Sequence, residues 1–276
     1  MSTYKELLQS ARRILQEQKI VDADVDAWYL LSYVLGINRT DFLLHSNKIA
    51  EDDKCKRYME LVSVRADHVP LQYITGTQEF MGLEFAVTPD VLIPRQDTEI
   101  LVEEVLKICD GKAVLDMCTG SGCIIISSAK LRRPVKAVGV DISKQALKVA
   151  AENAVRHGVE VELINSDLFE RVEGYYDIIV SNPPYIPTED INELMLEVKN
   201  HEPVLALDGD KDGLSFYRQI TAGAMKHLNS NGRLLFEIGY NQGSEVRDIL
   251  ISEGFTDVII KKDLSGLDRV VTAVRS

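Results

Sequence analysis

Apolar residues recur at every third and fourth position through the first part of the chain. Tyr4, Leu7, Leu8, Ala11, Ile14 and Leu15 follow an i, i+3, i+4, i+7 rhythm that draws one stripe along a helix. Val25, Trp28, Tyr29 and Val34 mark a second helix, and Gly36 is a natural stop. A third is expected over 52–66, ahead of Pro70. Residues 1–75 therefore read as a small helical bundle, and they carry no constellation of catalytic side chains.

The pattern then changes. Phe80, Leu83, Phe85 and Val87, with Gly82 at the turn, predict a short β-hairpin, so 76–95 reads as a linker. Asp97 or Thr98 is the expected N-cap of a helix running to about 108. Beyond it, strands expected at 113–117, 135–140, 161–164, 178–180 and 233–238, and near Val258 and Val271, alternate with helices at 122–131, 143–157, 214–228 and 242–252. Such alternation predicts an α/β domain over 96–276, a mostly parallel sheet with helices on both faces.

Composition narrows the classes. The 276 residues suffice for one large or two modest domains, and 45% hydrophobic with 27% charged residues is an ordinary globular balance. No apolar run is long enough to span a bilayer, and the N-terminus has no apolar signal core, so a cytoplasmic location with no membrane partner is expected. The net charge of −12 counts against a bulk nucleic-acid binder. Cys55, Cys109, Cys118 and Cys123 lack C-x-x-C spacing and read as reduced thiols. The five histidines have no metal-ligand spacing, and no metal site is expected.

Three stretches carry chemistry. Asp116-Met117-Cys118-Thr119-Gly120-Ser121-Gly122 lies where the first strand yields to a helix, at the carboxyl end where open α/β sheets bind ligands. A dinucleotide loop would want a third glycine at 125, where Ile125 stands. Methyltransferase loops need only the short G-x-G, because no pyrophosphate must be cradled. Asp141 ends the second strand and is placed to accept the hydroxyls of a ribose, or else to cap the helix starting near Ser143. After the third strand, Asp167 could accept from an adenine amino group, with Leu168 or Phe169 against the ring; the other reading is a loop or cap residue. Most specific is Ser181-Asn182-Pro183-Pro184-Tyr185. Two prolines fix φ, remove two donors and push Asn182 to extended geometry. The loop presents the Asn182 side-chain oxygen and the Pro183 carbonyl as acceptors, with Tyr185 as a flat face. An NH2 group on a planar π system fits these features.

Together the motifs resemble the HemK/PrmC family, the N5-glutamine methyltransferases of peptide-chain release factors. The likeness is carried by Pro70-Leu71-Gln72-Tyr73-Ile74 with Gly76, Val91-Leu92-Ile93-Pro94-Arg95, the glycine loop, Ser181 to Pro187, Glu202-Pro203, Asp212-Gly213-Leu214, Glu237-Ile238-Gly239 and Asp268-Arg269-Val270-Val271. The resemblance implies a Rossmann-like, S-adenosyl-L-methionine-dependent methyltransferase domain at 96–276, after the 1–75 bundle and the 76–95 linker. It places Thr119, Gly120, Ser121, Gly122, Cys123, Asp141, Asp167 and Leu168 on the cofactor. Asn182 would touch both cofactor and target amide, with Pro183, Pro184 and Tyr185 completing the catalytic loop. The implied substrate is the glutamine of the Gly-Gly-Gln loop of a class 1 release factor, and the bundle is where its recognition is expected. Two stretches depart from the family pattern: Arg95-Gln96-Asp97-Thr98-Glu99 stands for the usual Arg-Pro-Glu-Thr-Glu, and Gly209-Asp210 for a glycine pair.

Two rivals remain at this level. An adenine-N6 or guanine-N2 nucleic-acid methyltransferase would use the same loop on a flipped or single-stranded base, against which the charge argues. A cofactor-binding regulator without catalysis is disfavoured by the intact Asn182 to Tyr185.

Overall fold

Leu7, Leu8, Ala11 and Leu15 lie buried along one side of α1 (Tyr4–Glu17), as their spacing predicts. Thr3 and Glu6 form a reciprocal capping box at its start. In α2 (Ala23–Leu35) the buried stripe runs through Ala23, Ala27, Leu30, Leu31 and Val34, and Gly36 closes the helix at φ 66°. Val25 and Tyr29, expected on the inner face, are exposed. Trp28 is buried, with the Arg39 guanidinium 4.2 Å from its ring centre. A short α3 (Arg39–His45), α4 (Asp52–Ala66) and α5 (Leu71–Thr75) follow.

The computed structural model describes residues 2–276, which group into two units. The first comprises the chain up to Gly76 and takes in Met195–His201 as well. The later segment supplies one partner of a buried ion pair. Arg65, almost fully buried, donates to Asp26 at 2.7 Å and to Glu197 at 2.9 Å. A buried guanidinium needs both carboxylates, and one comes from the later segment.

The second unit opens with the hairpin β1 (Thr77–Phe80) and β2 (Leu83–Ala86). Its turn residues Met81 and Gly82 both have positive φ, which matches the twist of a tight hairpin. Next come α6 (Gln96–Leu106), β3 (Ala113–Met117), α7 (Cys123–Leu131), β4 (Lys136–Asp141), α8 (Lys144–His157), β5 (Glu162–Asn165) and β6 (Tyr176–Ser181). After α9 (Leu196–His201), which belongs to the first unit, come α10 (Ser215–His227), β7 (Leu228–Glu237), α11 (Gly243–Ser252), β8 (Phe255–Lys262) and β9 (Asp268–Arg275). β7 starts five residues before its apolar run, through a bulge at Asn231, φ 60°.

The seven strands are ordered β5-β4-β3-β6-β7-β9-β8, with β9 alone running opposite to the other six. Alternate residues bury on opposite faces: Leu115, Ile179 and Phe236 join one core, Val114, Ile178 and Leu235 the other. The fold is thus the mostly parallel α/β sheet read from the alternation, and the Rossmann-like class that the resemblance implied. After β3 the chain builds outward on one side, then returns to place β6 on the other. The gap between the carboxyl ends of β3 and β6 is the switch point where such sheets bind ligands. Among the described residues, no helix is long and apolar enough to cross a membrane.

Candidate active site

The loop after β3 is held open by left-handed backbone at Cys118 (φ 61°), Gly120 (54°) and Gly122 (79°). Its anchors are polar and short. The Thr119 N–H donates to the Val140 carbonyl at 2.9 Å, and the Thr119 hydroxyl to Asp116 at 2.6 Å. Asp116 is fully buried with Oδ1 unpartnered, and burial pushes its carboxyl up to about 7. Asp141 accepts from the N–H of Gly120 and of Ser143, each at 2.8 Å. Burial raises the Asp141 carboxyl, and backbone donors at Ser143, Gly120 and Ile142 oppose that. The N-cap of α8 is Ser143 itself, whose hydroxyl accepts from Ala146. Asp141 therefore ties the glycine loop to the end of β4.

The loop after β6 is fixed from behind. The Ser181 hydroxyl donates to the Met117 carbonyl at 2.6 Å, locking the ends of β3 and β6 together. Asn182 donates its side-chain N–H to the Thr98 hydroxyl at 3.2 Å. Thr98 was expected as a possible N-cap of α6. Arg95 holds that place with no side-chain cap bond, and Thr98 is buried one turn inside. The Tyr185 ring packs on the sheet core and its hydroxyl reaches Glu237 at 3.5 Å. Gln242 donates to the Tyr185 carbonyl at 2.9 Å, while Ile186 exchanges backbone bonds with Leu207 and Gly209.

Between the two loops lies a cleft of about 420 Å³. Thr119, Gly120, Ser121, Cys123, Asp141, Asp167, Leu168, Asn182 and Pro184 line it. Gly122 stands behind the loop as the N-cap of α7, and Pro183 and Tyr185 are not among the lining residues. Phe169 turns away from the cleft and stacks on His227, rings 5.0 Å apart, so Leu168 is the apolar residue facing it. Burial raises both thiols at the cleft, Cys123 to about 12 and Cys118 further, so each stays neutral.

Several residues here were given no site role by the sequence reading, although Glu202 and Glu237 stood in stretches that carried the family likeness. Glu202 is buried, pairs with Arg95 at the cleft, and accepts from the Ile93 N–H at 3.4 Å. Asn153 on α8 bridges Ala86 of the hairpin and the Ser121 carbonyl. Glu237 closes the apolar run Leu234-Leu235-Phe236, a buried carboxyl where an apolar residue would pack more cheaply. A charged side chain at the carboxyl end of a central strand was the available signal for it. Among the described residues, no cluster of three or more His, Cys, Asp or Glu side chains is placed to hold a metal ion.

Comparison with known proteins shows the family of the chain. A model of the PrmC N-terminal domain matches residues 6–76, and one of the methyltransferase small domain matches 95–201. A release factor glutamine methyltransferase of Geobacter sulfurreducens is 44% identical, over 98% of this chain and 95% of its own. One of Clostridium acetobutylicum is 42% identical, over 98% of each chain. The chain belongs to the release factor glutamine methyltransferase family. In fold, the second unit's class is shared by a methyltransferase from Pyrococcus furiosus, with a TM-score of 0.55 at 18% identity, covering 71% of this chain and 91% of that one.

The departure at Gly209-Asp210 has a local explanation. Asp210 stands at φ 71°, a conformation that aspartate tolerates better than most side chains, and its Oδ1 accepts from the Lys211 N–H. Gly209 keeps its glycine because a Cβ there would lie 2.7 Å from the Tyr185 backbone. Asp97 in the first turn of α6 pairs with Arg269 at 3.2 Å.

Proposed function

We infer that this chain transfers a methyl group from S-adenosyl-L-methionine to the side-chain amide nitrogen of a glutamine, in the Gly-Gly-Gln loop of class 1 peptide-chain release factors. The observation that carries the reading is the Asn182 side chain, held by Thr98 on the wall of a cleft whose other wall is the glycine loop.

The residues present suit the methyl donor. A Cβ at Gly120 would meet nothing within 4 Å, so the loop leaves open space for a ligand against its backbone. Asp141 keeps lone pairs beyond its two backbone bonds for ribose hydroxyls, and Asp167 with Leu168 offers an acceptor beside an apolar surface. Acidic side chains around the cleft favour a cationic ligand. When bound, S-adenosyl-L-methionine supplies an electrophilic methyl on a sulfonium sulfur, so a nitrogen–carbon bond forms as the sulfur–carbon bond breaks.

An amide nitrogen is a weak nucleophile, and its N-alkylated cation is acidic enough to lose a proton without a strong base. The protein's task is then orientation. The Asn182 oxygen at the cleft is assigned one N–H of the target and the neighbouring Pro183 carbonyl, just outside the cleft lining, the other, so that both stabilise charge developing on nitrogen. Holding that nitrogen in attack geometry accounts for up to roughly 7–11 kcal/mol of barrier.

We assign recognition of the release factor to the first unit, because a lone glutamine side chain offers too little surface to be chosen in one protein. A chain beginning at Thr77 is expected to bind S-adenosylhomocysteine yet lose most of kcat/KM on intact release factor. Full kcat/KM in that chain would refute the assignment, and failure to bind would mark the first unit as a folding requirement. A cytoplasmic site of action accompanies this substrate.

The test is transfer of labelled methyl to purified release factor, DNA and RNA in parallel. Label on the protein alone is expected; label on nucleic acid alone would replace this reading with the base-methylating one.

A further inference from the structure

Two prolines in a row leave the loop after β6 without backbone donors at 183 and 184. What holds such a loop must act on its carbonyls and side chains. Tyr185 is held by its carbonyl, which accepts from Gln242 Nε2 at 2.9 Å.

Gln242 stands at the N-cap of α11, yet its side chain makes no cap bond. It turns inward and is buried. A primary amide carries two N–H groups and an oxygen with two lone pairs. Nε2 bonds the carbonyls of Tyr185 and Gly213, the second at 3.3 Å. Oε1 accepts the Gly239 N–H at 3.0 Å and faces the Tyr217 hydroxyl at 3.4 Å. Three of these four partners are backbone groups, whose roles as donor or acceptor cannot change. A reversed amide would set N–H against N–H and oxygen against two carbonyls, so only this orientation fits. Room is tight as well. A Cβ at Gly213 would lie 2.7 Å from Nε2, and one at Gly239 2.8 Å from Oε1.

The two carbonyls belong to the two ends of one excursion. Tyr185 lies just past β6 and Gly213 just ahead of α10, with 186–212 between them. Pro203, Leu205 and Ala206 of that stretch line the cleft, as Asn182 and Pro184 do ahead of it. We propose that Gln242 is a positioning residue for methyl transfer: one buried NH2 closes the base of this excursion and so sets where the Asn182 oxygen and the Pro183 carbonyl stand beside the target amide. The inference rests on the amide-methylating reading of the cleft. Gln242 is not among the lining residues, so it acts through the two carbonyls it holds. Apart from Asn182, the residues assigned to the cofactor lie at the carboxyl ends of β3, β4 and β5. The partners of Gln242 lie past β6 and β7 and beside or within α10. Losing it should therefore slow transfer and spare cofactor affinity.

The test uses the full chain with release factor as substrate, comparing Gln242→Met and Gln242→Glu. The methionine keeps the volume and removes every bond. A small misplacement of a reacting group costs up to about 10²-fold, so kcat should fall toward that, with affinity for S-adenosylhomocysteine changed by less than about threefold. The glutamate keeps the shape and the accepting oxygen but turns a second oxygen to the two carbonyls. As a carboxylate it repels them; as a neutral acid it donates to one. Burial favours the neutral form. The titratable groups around it are the Tyr217 hydroxyl on α10, itself in the field of Tyr185, Glu237 and Arg269, and Asp268 on β9 against the next residue, Gly243. Dividing by wild type at each pH removes the titration of these native groups. The kcat ratio of Gln242→Glu to wild type should then rise at least about fivefold from pH 9 to pH 6, as one hydrogen bond is regained.

Full kcat in Gln242→Met would overturn the proposal, as would a Gln242→Glu ratio flat with pH. So would loss of kcat in strict parallel with cofactor binding. Should Gln242→Met fail to fold, the Gln242→Glu ratio decides alone. If wild type itself leaves release factor unmethylated, it is the functional reading that fails.

Discussion

One carboxylate oxygen of Asp141 accepts the backbone N–H of Gly120 at 2.8 Å, across twenty-one positions of sequence. A side chain at the end of one strand thus sets the shape of the loop at the end of the next. Asp141→Ala removes that tie and the acceptor proposed for ribose together. Hydrogen bonds to charged groups are worth about 1.5–3 kcal/mol. Affinity for S-adenosylhomocysteine should fall by at least about tenfold in a calorimetric titration. Unchanged affinity with a lowered melting temperature would mean that Asp141 serves the loop alone.

Asn182→Ala should lower kcat by about 10²–10³ while S-adenosylhomocysteine still binds measurably, because Asn182 is the side-chain acceptor facing the proposed target. Retention of more than about a third of wild-type kcat would remove Asn182 from the role given to it.

Gly213 supports the loop after β6 by having no side chain. It sits at φ 70°, and a Cβ there would collide with the Tyr185 carbonyl and lie 2.7 Å from Gln242 Nε2. Gly158 has similar backbone, φ 63°, with nothing within 4 Å of a Cβ. Gly158→Ala therefore measures left-handed strain alone, about 1–2 kcal/mol. Gly213→Ala should destabilise by clearly more in denaturant unfolding and should also lower kcat. Equal losses would show that the Tyr185 segment yields freely.

Arg65→Met leaves Asp26 buried without its guanidinium. Breaking such a pair costs about 3–5 kcal/mol. Burial already raises the Asp26 carboxyl above its ordinary value, against the pull of Arg65. A raised folded-state value means that the stability Asp26 contributes is present below its unfolded value, about 3.9, and lost as pH rises through the folded one. Removing Arg65 lifts that value further, so the variant's deficit should be smaller at pH 5 than at pH 8. A deficit independent of pH would contradict this.

The main elements of the second unit were legible because each carries a strong signal. β3 is an apolar run interrupted only by Asp116 and ended by a glycine loop, and α8 lies between Ser143 and Gly158, which cap it. What was hidden has a physical reason. α3 spans seven residues and buries none of them, so no stripe exists to be read; Asn38 and Asp41 hold its start. In α2, Tyr29 and Val25 share the helical spacing but face outward, because Ala27 and Leu30 pack inward instead. Thr98 looks like a cap by position, yet its partner is eighty-four residues away. The Asn182 loop was conspicuous from its two prolines, whereas Thr98, Glu237 and Gln242, which hold it, meet it only through the sheet order.

The account stands or falls on where the methyl group goes. Purified chain, S-adenosyl-L-methionine and a class 1 release factor should give, by peptide mass spectrometry, one added methyl on the Gly-Gly-Gln glutamine, and none on a release factor whose glutamine is replaced by alanine. Methyl incorporation undiminished in that replaced release factor, or found at another residue, would contradict it.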